Sequence, residues 1–298
     1  MYLILFSLLI VLSYSTNKYS TNIHSTNIQS TNKQIMGSYF GIFDDSYNET
    51  IKVRTQIPWT YFDRIYIAFA TLDEYGNLTD TDLYSEDKIY NITNWYRKAV
   101  PHGKIFISSN YGDIIDQWYL VASKNPDNFA RSVLSYLIKY NLDGYDMDWE
   151  SPFINDYSQQ LISLLTACKK QFGNKYFLTH TVLPDVHSPQ LIGNLSNIVD
   201  GINIMSYGYY GISLETLIND YHEKGFPYEK MLIGVDSEDG IDNEVSIQNK
   251  TNIIRKYNLG GIYLWRLDND SRYNNHILGP PTFYTANLTY NIFNNYTT

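Results

Sequence analysis

The chain has one cysteine, Cys168, in 298 residues. An internal disulfide and a cysteine-based zinc site are both excluded. Basic residues are also short: 22 Lys and Arg stand against 31 Asp and Glu, a formal net charge of −9. A general nucleic-acid binder needs the opposite balance to meet phosphate. The first 14 residues are almost wholly apolar, yet too few for a bilayer, which takes roughly 20. They read as the apolar region of a secretory signal ending at Ser13-Tyr14-Ser15, although no Lys or Arg precedes them, with an uncleaved anchor as the alternative. A Gly-rich phosphate loop after an early strand is missing, which counts against a nucleotide-binding doubly wound sheet. His102, His180, His187, His222 and His276 show no metal-ligand spacing and read as surface or hydrogen-bonded residues. No metal and no cofactor is expected.

Hydrophobic residues make up 44% of the chain, enough for a sizeable core. Tyrosine is abundant, at 29 residues. Tyr stacks on sugar faces, so a carbohydrate ligand is permitted; a coding bias toward Tyr and Asn would give the same excess. A polar five-residue repeat beginning Ser-Thr-Asn runs from Ser15 to Gln34. It has neither helical nor strand periodicity and reads as a spacer, with His24 a bystander. The chain thus divides into a signal (1–15), a spacer (16–34), one catalytic domain (35–280) and an Asn/Thr-rich surface tail (281–298). Asn-x-Ser/Thr sequons at Asn48, Asn77, Asn91, Asn194, Asn249, Asn269, Asn287 and Asn295 suit a secreted glycoprotein. In so polar a chain several arise by chance.

Between Ile35 and Leu278, short apolar runs alternate with helical patterns. Strands are expected at Met36–Gly41, Arg64–Ala70, Lys104–Ser109, Leu142–Trp149, Tyr176–Val182, Asp200–Tyr207, Lys230–Val235 and Gly261–Arg266. Helices are expected at Glu86–Ala99, Asp127–Tyr140, Tyr157–Gln171, Leu214–Glu223 and Val245–Tyr257. Phe129, Val133, Leu134 and Leu137 show the helical spacing. Eight strands alternating with helices over this length predict a single (β/α)8 barrel, an α/β fold.

One segment concentrates charge: Asp143-Gly-Tyr-Asp146-Met-Asp148-Trp-Glu150. Strand side chains alternate, so Asp146, Asp148 and Glu150 share one face and Tyr145, Met147 and Trp149 the other. The acids then point into the barrel, with Glu150 at the C-terminal mouth, where barrel active sites lie. Burial and like charge raise at least one of their pKa values, which makes a general acid usable near neutral pH. A calcium loop would need a turn glycine and carbonyl ligands, which Trp149 fits poorly. Asp143, at the strand start, reads as a structural hydrogen-bonder. Cys168, on a helix, reads as a buried small hydrophobe.

The same segment resembles the DGxDxDWE signature of glycoside hydrolase family 18, the chitinases and endo-β-N-acetylglucosaminidases. Looser likenesses extend over Met36 to Asp270. Gly37-Ser-Tyr39-Phe is similar to the family's first strand, and Ile57-Pro-Trp59 leading to Ala68-Phe69-Ala70 to its second. Pro152 follows where the family often has WEYP. Met205-Ser-Tyr207 resembles the sixth-strand MxY, and Gly260-Gly-Ile-Tyr-Leu-Trp265 the eighth-strand GG…W. There are departures. Ser108-Ser-Asn110-Tyr111 stands where the family has SxGG, and Gly208 stands where chitinases usually have Asp. The stretch between the seventh and eighth strands is too short for the extra α+β domain of some members.

The resemblance implies a substrate-assisted retaining mechanism, in which the sugar's N-acetyl oxygen attacks its own anomeric carbon. Glu150 would be the acid and then the base. Asp148 would orient the acetamido group and stabilise the oxazolinium, with Asp146 sharing its proton. Tyr39 and Ser108 would hydrogen-bond Asp146, and Tyr207 the acetamido oxygen. Trp265 would floor the sugar site, with Phe69 and Met205 beside it. Without the resemblance, Tyr39 and Trp265 would read as core aromatics. The expected protein is a secreted or secretory-lumen monomer that cleaves β-1,4-linked N-acetylglucosamine, binding chitin or a related oligosaccharide. It meets no nucleic acid, and no membrane beyond the signal. Alternatives are an endo-β-N-acetylglucosaminidase or chitobiase-type enzyme acting on the N-glycan core, and a non-catalytic chitin-binding lectin.

Overall fold

The computed structural model describes residues 33–110, 115–270 and 279–294. The expected signal, almost all of the spacer, Tyr111, His276 and the Asn295 sequon lie outside the described residues. The apolar runs form β1 (Ile35–Gly41), β2 (Arg64–Leu72), β4 (Lys104–Ser109), β5 (Gly144–Met147), β6 (Phe177–Val182), β7 (Gly201–Ile204), β8 (Met231–Asp236) and β9 (Gly261–Trp265). A two-residue strand, β3 (Leu78–Thr79), pairs antiparallel with the end of β2. The other eight are parallel, and β1 pairs with both β2 and β9, which closes the sheet into a barrel. The chain is a (β/α)8 barrel, as expected.

Helices follow the strands in order: α1 (Ser46–Lys52), α2 (Ser85–Ala99), α3 (Ile115–Ala122), α4 (Pro126–Lys139), α5 (Ser158–Phe172), α6 (Pro189–Asn194), α7 (Gly211–Glu223), α8 (Glu244–Tyr257) and α9 (Tyr284–Asn294). Only α8 lies between β8 and β9, so no α+β domain is inserted there. Its start is fixed by a capping box: Asn243 accepts from the Ser246 N–H, and Ser246 Oγ from the Asn243 N–H. Lys250 of α8 is wholly buried, pairs with Asp242 at 2.6 Å and donates to the Gly234 carbonyl at 2.7 Å. Helix and strand are thereby tied.

Two apolar layers result. The outer one, between sheet and helices, holds Ile105, Ile107, Tyr145, Met147, Trp149, Leu161, Leu164 and many other aliphatic residues. The inner one is small and aromatic: Tyr39, Tyr66, Phe69, Phe106 and Tyr263, with Leu232 and Ala68. The rest of the interior is polar.

Helices α1, α3, α6 and α9 were not among those expected. Helix α9 falls in the stretch read as a surface tail. Its Asn and Thr residues are poor helix formers, but Asp270 accepts from the N–H groups of Thr285 and Ala286 at its start. Tyr290 stacks on Tyr61 at 3.9 Å, and Arg255 of α8 donates to the Phe293 carbonyl. Among the described residues no helix is long and apolar enough to cross a membrane.

Candidate active site

Strand β5 is wholly buried on both faces. Its outward side chains, Tyr145 and Met147, continue into Trp149, all with no exposure. Trp149 stacks between Tyr119 and Tyr157, and its indole N–H donates to Asp116 at 2.5 Å. This packing clamps the chain just past the strand end. Alternation then sends Asp146, Asp148 and Glu150 inward, as the sequence implied. The expected strand Leu142–Trp149 is shorter in fact, because Asp148 to Glu150 rise above the hydrogen-bonded sheet at its C-terminal end.

Asp146 lies deepest and is ringed by donors from four other strands. Tyr39 donates at 2.9 Å, Ser108 at 2.7 Å, Thr179 at 2.6 Å and Thr181 at 2.9 Å. Asn203 lies 3.4 Å away and also donates to the Tyr39 hydroxyl, at 2.8 Å. Burial raises the Asp146 pKa and these hydrogen bonds oppose the rise. Asp148 is 2% exposed, and its Oδ1 has no hydrogen-bond partner among the described residues. Burial first, then the charges of Glu150 and Asp146, push its pKa well above the carboxylate range. Glu150 is half-buried at the mouth. Burial raises its pKa too, against hydrogen bonds to Asp148 and Asn110. The charge on each therefore bears on the protonation of the other.

The remaining candidates fall around this column. Tyr39, Phe69, Tyr207 and Trp265 belong to or pack on the inner aromatic layer. Trp265 lies 5.4 Å from the Tyr39 ring and 5.7 Å from that of Phe69. Its indole N–H donates to Glu238 at 3.0 Å. Burial raises the Tyr207 pKa, and the charges of Asp148 and Glu150 add to the rise. The Tyr207 ring lies close to the wall because Gly234 leaves room: a Cβ there would sit 2.9 Å from it. Met205 is half-buried two residues before Tyr207, its N–H donating to the Val182 carbonyl. Asp143 is tied to Arg97 at 2.5 Å and to the Ile105 N–H, a structural role.

Several residues here were given no site role from sequence: Thr179, Thr181, Asn203, Asp116, Glu238 and Asn110, which was noted only as a departure from SxGG. Thr179 and Thr181 could have been found, since they alternate on β6 with Leu178 and His180. The others are brought in by folding alone. His180 and His187, read as surface or hydrogen-bonded, are buried and hydrogen-bonded. The His180 Nδ1–H donates to the Met147 carbonyl at 2.7 Å, behind the acid column, and the two rings meet edge to face at 5.1 Å. Burial lowers their pKa values to about 3 and about 4. Among the described residues no three His, Cys, Asp or Glu side chains are grouped to hold a metal ion.

Gly208 has φ +73°, and a Cβ on it would lie 3.0 Å from Ile241. An aspartate at this position would be strained by the backbone as well as crowded.

These features define a parallel (β/α)8 barrel with a column of carboxylates at the C-terminal end of one strand. The family model for Glycosyl hydrolases family 18 matches residues 26–238, and the chain belongs to that family. An endochitinase of Brugia malayi is 23% identical over 60% of this chain and 44% of its own length. Chitinase 63 of Streptomyces plicatus is 24% identical over 58% of this chain and 34% of its own length. The chain thus spans less than half the length of these relatives. Among solved structures, a class V chitinase from Nicotiana tobaccum superposes with a TM-score of 0.71 over 88% of this chain and 99% of the other, at 17% identity. A chitinase-like agglutinin from Robinia pseudoacacia gives 0.72 over 86% and 99%, at 15% identity. At such identities these likenesses establish the fold.

Proposed function

We propose that the protein is a secreted glycoside hydrolase that cleaves β-1,4-linked N-acetylglucosamine, with Glu150 as acid and base. The observation that carries this reading is the column of acids: a buried Asp148 and a half-buried Glu150 above an Asp146 held by five polar neighbours. A protonated Glu150 at the mouth would give its proton to a glycosidic oxygen. The unpartnered Asp148 Oδ1 is an acceptor that an acetamido N–H would satisfy. The sugar's own acetamido oxygen then attacks the anomeric carbon, and Asp148 stabilises the positive oxazolinium. Glu150 next takes a proton from the water that opens it. Trp265 and Phe69 supply an aromatic floor, and Tyr207 a hydroxyl for the acetamido oxygen. Two inversions give net retention.

The chitinase names and bound N-acetylglucosamine oligomers of relatives favour chitin-type substrates. Gly208 keeps a second reading in view, an endo-β-N-acetylglucosaminidase of N-glycan cores. The lectin reading, supported by the agglutinin's fold, is disfavoured by the presence of Glu150. Incubating the protein with chitotetraose and, separately, with a high-mannose glycoprotein separates all three. Cleavage of the oligosaccharide, with the β anomer appearing first by proton NMR, is expected. Release of glycan alone would select the second reading. Binding without turnover would overturn the hydrolase.

A further inference from the structure

The end of β4 meets β5 at three successive levels. Ser108 donates to Asp146 Oδ2 at 2.7 Å. The Asp148 N–H donates to the Ser109 carbonyl at 3.3 Å. Asn110 Nδ2 donates to Glu150 Oε1 at 2.8 Å. The register Ser108↔Asp146 and Ser109↔Met147 carries Asn110 up beside the acids. Ser108 and Asn110, two residues apart, share the inward face. The Asn110 amide has two hydrogens and no charge. It also holds down the Asp148 pKa against the rise that burial and Glu150 cause, so a neutral donor stands beside two carboxyl groups that repel one another when ionised. Glycine, the residue that the SxGG pattern has here, would offer no such group.

We propose that Asn110 is a positioning residue for Glu150, fixing the carboxyl plane and assigning its proton to Oε2. This rests on the acid/base role proposed above. A hydroxyl oxygen is a poor acceptor, so a donor held on Oε1 favours the acid whose O–H is on Oε2. In the first step the Oε2–H bond breaks and the proton goes to the glycosidic oxygen. That oxygen leaves with the electron pair of its bond to the anomeric carbon. The acetamido oxygen bonds to that carbon as the glycosidic oxygen leaves. In the second step a water oxygen bonds to the anomeric carbon, the bond to the acetamido oxygen breaks and returns its electron pair to the acetamido group, and Oε2 takes a proton from the water. The Asn110 bond is strongest while Glu150 is an anion. It therefore opposes the rise in proton affinity that burial sets up, in a site where Asp148 and Tyr207 also face Glu150.

The test is Asn110→Ala, assayed on chitotetraose and on a 2,4-dinitrophenyl β-chitobioside, whose leaving group needs no proton. On the tetrasaccharide, kcat should fall about 10- to 100-fold with KM within about twofold. On the aryl glycoside, kcat should fall less than about threefold, since the acid contributes little there. The alkaline limb of kcat/KM should move up by about one pH unit, because loss of the donor leaves Glu150 holding its proton more tightly. Equal losses on both substrates, or an unmoved limb, would overturn the proposal. Should Asn110→Ala fail to fold, Asn110→Asp keeps the shape and adds a negative charge, so its limb must move higher still; an unmoved limb there also overturns it. Glu150→Gln runs alongside. If that variant keeps its turnover on chitotetraose, the acid role itself is wrong. If it is inactive while the Asn110 variants keep the original limb, only the Asn110 assignment falls.

Discussion

The two faces of β5 are built on opposite rules. Outward, Tyr145, Met147 and Trp149 join a large layer of aliphatic and aromatic side chains against the helices. Inward, Asp146 is satisfied by side chains alone, from β1, β4, β6 and β7. The outer layer is non-directional and tolerates substitutions that conserve volume. The inner one is a network in which each group depends on its partners' positions. One strand thus carries an apolar packing face on one side and the proposed catalytic acids on the other, and a substitution should report which side it touches.

The sharpest separation is expected from Glu150→Gln. Turnover should fall by at least about 100-fold, the general-acid range, while thermal unfolding and sugar binding stay near those of the parent protein. Asp148→Asn should be similarly severe, because an amide supplies no negative charge to the oxazolinium. The reverse pattern belongs to Leu161→Ala in the outer layer. Leu161 has no exposure, and the cavity should cost about 2–5 kcal/mol in a denaturant titration, with kcat of the folded enzyme unchanged. Loss of activity per folded molecule would erase the distinction between the faces.

Acid should act on the two sides with opposite sign. His180 and His187 sit on the outer side with folded pKa values of about 3 and about 4. In the unfolded chain they bind protons near pH 6.5. Between those limits the unfolded state holds more protons, so stability falls as pH drops from about 6.5, by about 2 kcal/mol per histidine at pH 5. The inner carboxyls have raised pKa values, so the folded state holds the more protons there and their contribution to stability grows as pH falls. His180→Asn keeps a donor toward the Met147 carbonyl and removes one titration. Its melting temperature should drop less between pH 7 and pH 5 than that of the parent. An identical drop would remove His180 from the account.

The smallest effect is expected at Thr179→Val. It deletes one donor to Asp146 and should cost about 1–2 kcal/mol. It should also alter the pH profile more than a substitution of equal size in the outer layer.

The strands could be read because each is a short apolar run with turn signals at its ends, and the acid column because alternation assigns a face to every residue of Asp143–Glu150. What could not be read has a common cause. Asn110, Asn203 and Asp116 lie on other segments, and their contacts with β5 exist only once the barrel closes. Helix α9 escaped notice because its Asn- and Thr-rich sequence has weak propensity, and its order comes from Asp270 and from packing on α8. The burial of His180 and His187 depends in the same way on what covers β6 from outside.

Closure of the sheet has one more consequence. A chain rich in Tyr, Asn and Thr, with many short β-prone runs, has the makings of cross-β association, in which exposed strands template one another. Here every long strand has a neighbour on both sides, because β1 joins β2 to β9. Among the described residues the free edge is that of β3, two residues long. The ring therefore guards against self-association as well as forming a mouth, and a lesion that opened the β1–β9 seam would expose two long edges at once.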